Sequence, residues 1–174
     1  VEAAAQACTD VTLLVNNAGI SRNTNLLGAG AIEAARAELE TNFFGVWSVA
    51  RAFAPVLARN GGGAVLNVLS ALAWTTFPGV ATYSTTKSAA WSLSNGLRNE
   101  LLAQGTQVTS LHVGYMDTDM AAHAQGEKAS PDNVARQAFA GVEAGQFEVL
   151  ADETSRQLKQ SLSSATPAYA AAPA

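Results

Sequence analysis

At 174 residues the chain is long enough for one domain with a sizeable core, and 48% hydrophobic with 14% charged residues suits a well-buried α/β protein. A net charge of -4 without a Lys/Arg cluster argues against nucleic-acid binding, and no apolar run reaches the ~18 residues needed to span a bilayer. One cysteine, Cys8, excludes an intrachain disulfide, and no Cys/His cluster has metal-ligand spacing, so no metal is expected. No signal-peptide pattern opens the chain, and cytoplasm is the expected compartment.

Residues 1–10 read as the last turns of a helix. A chain that opens inside a helix and without methionine is expected to be part of a longer protein. Residues 11–15 are a short buried strand that ends at Asn16-Asn17-Ala18-Gly19. Small and amide residues there let the backbone turn sharply and let a ligand approach closely, although an ordinary strand-to-loop turn uses the same residues. The polar, glycine-containing residues 20–30 form a loop. Ile32, Ala35, Leu39, Phe43, Val46, Val49, Phe53 and Leu57 recur at helical intervals, so residues 31–60 read as one long amphipathic helix. Pro55 is expected to kink it or loosen its last turns. Asn42 is the polar exception on this apolar stretch. Gly61-Gly62-Gly63 precedes a strand, whereas phosphate-binding glycine loops follow one and open a helix, so it is a turn.

Residues 64–69 form a buried strand that delivers Ser70 at its end. Leu72, Trp74, Phe77 and Pro78 follow, apolar bulk of the kind a binding pocket needs or that loop packing uses. Residues 81–104 form a helix on which Tyr83 and Lys87, four apart, share a face. A free tyrosine has a pKa of about 10, and a cation about 5 Å away at an effective dielectric near 20 contributes roughly 3 kcal/mol, or about two units. On that reckoning Lys87 makes the phenol usable as a general acid or base near neutrality, with Ser70 donating to an oxygen that gains charge.

Residues 107–112 form the third strand, and His112 at its end reads as a packed, hydrogen-bonded histidine. Val113-Gly114-Tyr115-Met116-Asp117-Thr118-Asp119-Met120 is a loop. Residues 121–129 are weakly patterned, either a segment that closes over a ligand or a plain surface loop. Ser130, Pro131 and Asp132 start a helix that runs to about residue 144. Residues 147–150 are the last strand, 152–162 a short helix, and the Ala/Pro-rich residues 163–174 a tail expected to be disordered.

Strands alternating with helices imply a doubly wound, parallel, Rossmann-like α/β sheet of about four strands in a single domain over residues 1–162. Asn16, Ser70 and Gly114 each lie just past a strand's carboxyl end, where such sheets bind ligands.

Asn16-Asn17-Ala18-Gly19, Ser70 thirteen residues before Tyr83, Tyr83-Ser84-Thr85-Thr86-Lys87 and Gly114-Tyr115-Met116-Asp117-Thr118 resemble, in order, the motifs of the short-chain dehydrogenases/reductases, from about residue 11 to 162. The resemblance implies an NAD(P)-dependent oxidoreductase interconverting a carbonyl and an alcohol; the residue that selects NADP or NAD belongs to the glycine-rich half and is not in this sequence, and NADP is slightly favoured. It implies Tyr83 as general acid/base, Lys87 lowering its pKa and holding the nicotinamide ribose, Ser70 orienting the carbonyl, and Asn42 anchoring a proton-relay water. It places Asn16, Ala18, Gly19, Tyr83, Lys87, Val113, Gly114, Met116 and Thr118 at the cofactor, with valine at 113 where the family usually has proline. Leu72, Trp74, Phe77, Tyr115 and Met120 are the candidate pocket for a small apolar substrate. A homodimer or homotetramer through residues 31–60 and 81–104 is also implied.

The chain carries no strand, glycine-rich turn and helix at its start. By itself it is therefore expected to bind cofactor poorly and to leave strand 11–15 without an inner neighbour. A non-catalytic remnant serving as a scaffold or dimerisation module is the alternative consistent with that gap. Nucleotide-sugar epimerases and dehydratases share the Tyr-x-x-x-Lys helix but space serine and tyrosine more widely.

Overall fold

A computed structural model describes residues 1–170. The apolar runs pair as one parallel sheet in the order β1 (Leu13–Asn16), β2 (Gly63–Val68), β3 (Thr106–His112) and β4 (Glu148–Leu150). Parallel neighbours need long crossovers, and helices supply each of them. Helix α1 (Glu2–Ala7) precedes β1, α2 (Ala31–Leu39) and α3 (Val46–Arg59) lead to β2, and α4 (Ala81–Leu101) leads to β3. Helix α5 (Pro131–Glu143) leads to β4, and α6 (Glu153–Ser161) follows it.

The sheet is wound on both faces, as expected. Leu14, Val65 and Val108 stand in line across β1, β2 and β3. They meet Ala50, Phe53, Val56 and Leu57 of α3 and Leu97 and Leu101 of α4. On the opposite face Leu66, Leu111 and Val149 pack with Val134 and Ala138 of α5. That second layer stops short of β1, where Leu13 is 37% and Val15 42% exposed. Among the described residues β2 is the only partner of β1.

A buried polar chain crosses the first layer. Asn16 Nδ2 donates to Asn67 Oδ1 at 2.8 Å, Asn67 Nδ2 to the Ser94 hydroxyl at 2.9 Å, and that hydroxyl to the Ala90 carbonyl at 2.7 Å. Each side-chain donor in it has an acceptor, as burial demands. The glycine turn before β2 is a turn, with φ of 104° at Gly62 and 128° at Gly63. A Cβ at Gly62 would strike the Gly105 carbonyl and one at Gly63 the Thr12 carbonyl, so the turn needs glycine for space as well as for φ.

Several expected elements differ in detail. The helix expected over residues 31–60 is split by a π-helical segment, Glu40–Gly45, between α2 and α3. Pro55 lies inside α3, which runs on to Arg59. The helix expected over 81–104 is α-helical to Leu101 and tightens to a 3-10 turn, Leu102–Gln104, capped by Gly105 at φ 73°. Ser130 stands at the N-cap of α5 without a side-chain cap bond. Of the expected tail, Ala168–Ala170 makes a 3-10 turn, and residues 171–174 lie outside the described residues.

Candidate active site

A cavity of about 1030 Å³ opens at the carboxyl ends of the strands. Ala18 and Gly19 reach its wall just past β1, Ser70 past β2, Val113 and Gly114 past β3, and Asp152 past β4. Helix α4 lays Tyr83 and Lys87 into the same wall, so the residues expected to carry proton transfer do share one cleft.

Lys87 Nζ lies 5.6 Å from the centre of the Tyr83 ring and donates to the Val68 carbonyl at 2.9 Å. Burial lowers the Lys87 pKa to about 8. Burial also pushes Tyr83 up to about 12; the adjacent Ser70 hydroxyl acts against that rise and the charge of Glu38 adds to it. The expectation that Lys87 brings the phenol toward neutrality is therefore corrected for this resting site. Desolvation disfavours phenolate and ammonium alike, and it is the largest cause of both shifts.

Ser70 ends the strand in extended conformation and caps the 3-10 turn Ala71–Ala73, its Oγ accepting from the Leu72 amide at 3.1 Å. Its hydroxyl points at the Val113 carbonyl across 3.5 Å, a contact weak enough to leave the proton free for a ligand oxygen.

Asn42 sits inside the π segment and is 1% exposed. Its Oδ1 accepts from the Ile20 amide at 2.8 Å, and its Nδ2 donates to the Ile20 carbonyl and to Thr86 Oγ1, both at 2.9 Å. Thr86 Oγ1 donates in turn to the Tyr83 carbonyl at 2.8 Å. Asn42 thus works behind the cavity, tying the loop after β1 to the turn of α4 that carries Tyr83. π segments often mark functional sites, because one extra residue per turn re-aims the side chains that follow.

The wall suits a nicotinamide nucleotide. A Cβ on Gly19 would lie 3.4 Å from Asn42 Oδ1 and 3.7 Å from Lys87 Nζ, so a bare backbone faces the buried lysine. That lysine uses one of its three donors in the hydrogen bond to Val68, and the others suit ribose hydroxyls. Met116 and Thr118 also line the cavity, on a loop held by a bridge between Met116 and Ala129. Asp152 pins the same loop through its Oδ2, which accepts from the Gly114 amide at 2.6 Å.

Leu72, Phe77, Tyr115 and Met120 line the cavity as expected of a substrate wall. Trp74 does not. The turn Ala71–Ala73 rotates its side chain inward, where it is 8% exposed and stacks on His112 with ring centres 4.0 Å apart. Asn16 is also absent from the wall: its place on β1 turns its amide into the buried chain with Asn67, and Asn17 lines the cavity beside Ala18. His112 is fully buried, with Nδ1 3.0 Å from the Ser70 carbonyl, and burial lowers its pKa to about 4. A carbonyl only accepts, so Nδ1 carries the proton and the neutral ring supports Ser70 from below.

Three supporting residues escaped the sequence reading. Glu38 stands one helical turn before Asn42, an i,i+4 relation on the same face. Asp152 reads in sequence only as the start of the last helix, although its position just past β4 matches the rule that marks Asn16, Ser70 and Gly114. His123, edge-on to Tyr115 with ring centres 6.1 Å apart, carried no pattern that would have found it.

Comparison with known proteins follows the same outline. A family model described as short chain dehydrogenase matches residues 1–129. A crystal structure of a short chain dehydrogenase from Burkholderia cenocepacia J2315 in complex with NADP superposes with a TM-score of 0.90 at 38% identity, covering 94% of this chain and 69% of that one. An uncharacterized oxidoreductase, YusZ, of Bacillus subtilis is 33% identical over 67% of this chain and 41% of its own length. A 3-oxoacyl-[acyl-carrier-protein] reductase of Synechocystis is 31% identical over 63% of this chain and 44% of its own length. The chain thus spans about half the length of the curated relatives it matches.

Proposed function

From the premise that the chain belongs to the short-chain dehydrogenase family, we propose that it is the catalytic part of an NAD(P)-dependent oxidoreductase that interconverts a carbonyl and an alcohol. The observation that carries this reading is the shared cleft of Tyr83, Lys87 and Ser70 beside the bare backbone of Gly19. In the reducing direction the Tyr83 hydroxyl gives its proton to the substrate oxygen, while Ser70 donates a hydrogen bond to that oxygen. In the oxidising direction the phenolate takes the proton back. Lys87 holds the nicotinamide ribose with its spare donors and stabilises the phenolate when it forms. Asn42 keeps the Ile20 loop and the Tyr83 turn in register for this exchange. The bound dinucleotide supplies or accepts the hydride.

NADP is favoured over NAD, a choice supported by the NADP complex of the 38% identical structure. Ala18, Gly19, Val113, Gly114, Met116 and Thr118 are the chain's contacts to it. Leu72, Phe77, Tyr115 and Met120 favour a small apolar or aromatic carbonyl substrate. We place the protein in the cytoplasm as a homodimer or homotetramer; among the described residues no helix is long and apolar enough to cross a membrane. Replacing Tyr83 by Phe in the full-length protein should cut NADPH-dependent reduction of aromatic ketones at least roughly a hundredfold while leaving NADPH fluorescence titrations unchanged. A variant that keeps a tenth of the activity would overturn the assignment.

A further inference from the structure

His112 ends β3 fully buried, and among the described residues its ring makes one hydrogen bond, from Nδ1 to the Ser70 carbonyl at 3.0 Å. Its Nε2 has no hydrogen-bond partner there, and neither has Nε1 of Trp74, whose ring stacks on it with centres 4.0 Å apart. Burying a polar nitrogen without a partner is unfavourable, and a phenyl ring would fill similar space without that burden. What a phenyl ring lacks is the donor aimed at Ser70. That donor meets a peptide at which the chain changes course: Ser70 is extended, and its carbonyl also accepts from the Ala73 amide at 3.0 Å to close the turn that follows. Beyond the turn, Ser88 of α4, next to Lys87, donates through Oγ to the Ala73 carbonyl at 2.9 Å. The imidazole is itself gripped by later elements. Glu148 Oε1 of β4 lies 3.5 Å from Nε2, and Lys159 of α6 pairs with Glu148 at 2.9 Å and stands 5.0 Å from the centre of the Trp74 ring.

We propose that His112 is a positioning residue for the carbonyl–alcohol exchange: through Nδ1 it orients the Ser70 peptide, and so the hydroxyl that meets the substrate oxygen, while Trp74, Glu148 and Lys159 hold the ring in place. This rests on the oxidoreductase reading and adds the residue that aims the serine. It also makes β4 and α6 part of the framework of the site, since each supplies one member of the grip on the imidazole. Misplacing a group by about 1 Å in such a site lowers the rate on the order of a hundredfold. The donors of Lys87 that suit the ribose and the bare backbone of Gly19 lie outside this linkage, so breaking it acts on turnover rather than on cofactor affinity.

The test is a pair of substitutions in the full-length protein. His112→Phe keeps a ring against Trp74 and removes the donor, and His112→Leu takes its place if the larger ring prevents folding. His112→Asn removes the ring and keeps a side-chain N–H near the place of Nδ1. In NADPH-dependent reduction of an aromatic ketone, kcat should fall roughly tenfold or more in His112→Phe and stay within about threefold of the parent in His112→Asn, although the asparagine variant melts lower. KM for NADPH should hold in both. In a Ser70→Ala background His112→Phe should lower kcat no further. Equal losses in the two variants, kcat that follows melting temperature, or a full additional loss in the Ser70→Ala background would overturn the proposal. The carbon-13 resonance of the Ser70 carbonyl should move in His112→Phe and stay near its parent position in His112→Asn; an unmoved resonance in His112→Phe would likewise overturn it. The expected resonance pattern in a protein that reduces no ketone would uphold the hold of His112 on Ser70 and sink only the oxidoreductase reading.

Discussion

Lys87 is a cation that folding has to force out of water. Its folded pKa of about 8 lies below the ordinary 10.5, so at pH 7 both folded and unfolded chains hold the proton and the folded one bears the full cost, about 3 kcal/mol. As pH rises from about 8 to 10.5 the unfolded chain keeps the proton that the folded chain releases, and the penalty fades. Tyr83 has the opposite sign, because its raised pKa makes stability fall as pH climbs from 10 through about 12. Lys87→Met should therefore melt higher than the parent at pH 7, lose most of that advantage near pH 10, and be inactive at both. Equal melting temperatures at pH 7 would mean that the ammonium is not under strain. Residue types and spacings singled out Tyr83, Lys87 and Ser70, which share one cleft, and the resemblance added Asn42, which sits behind it. They could not show which way a neighbouring side chain turns: Trp74 sits four residues from Ser70 yet packs on His112, and Asn16 belongs to the motif yet points into the core. The sign of the Tyr83 shift was equally out of reach, since it depends on how completely the chain buries both partners.

Among the elements, the loop after β3 depends on its grip by Asp152. One carboxylate oxygen accepts from the Gly114 amide at 2.6 Å, and the other caps α6 by accepting from the Ser155 amide at 2.8 Å and the Ser155 hydroxyl at 2.6 Å. Asp152→Asn can keep the cap through its amide oxygen but presents a donor to the Gly114 amide. It should raise the KM for NADPH several-fold with little change in melting temperature, whereas Asp152→Ala should also lose about 1 kcal/mol of stability by denaturant titration. Matching KM values for both variants and the parent would show that the clamp does not hold the loop. Helix and strand identities were readable because apolar period and punctuating glycines agree for β2, α4 and α5. The π segment was not: inserting one residue into a turn leaves the apolar stripe nearly continuous, and only its hydrogen-bond spacing betrays it.

At the scale of the molecule, two of the places where apolar surface meets water bear on assembly. One is the β1 face at Leu13 and Val15; the other is the aromatic group on the α2–α3 side, where Phe44 is 43% and Trp47 47% exposed and Phe43 lies 5.0 Å from Phe44 between ring centres. The second belongs to the helices through which a homodimer or homotetramer was expected. Sedimentation of the full-length protein should give a dimer or tetramer, and Trp47→Glu should shift it toward monomer without unfolding it. A parent that sediments as a monomer would end that assignment. Four parallel strands could be read in advance because each crossover carries a helix of ordinary length, whereas their order and the exposure of β1 depend on how the strands pair and where the second helical layer stops. The amide pair joining β1 to β2 has a further effect on the whole design. Slipping β1 by a single position would swing Asn16 to the water-facing side of the sheet and leave the Asn67 amide buried without it. Misalignment is thereby made costly, and the cleft inherits its accuracy from a polar contact that never touches a ligand.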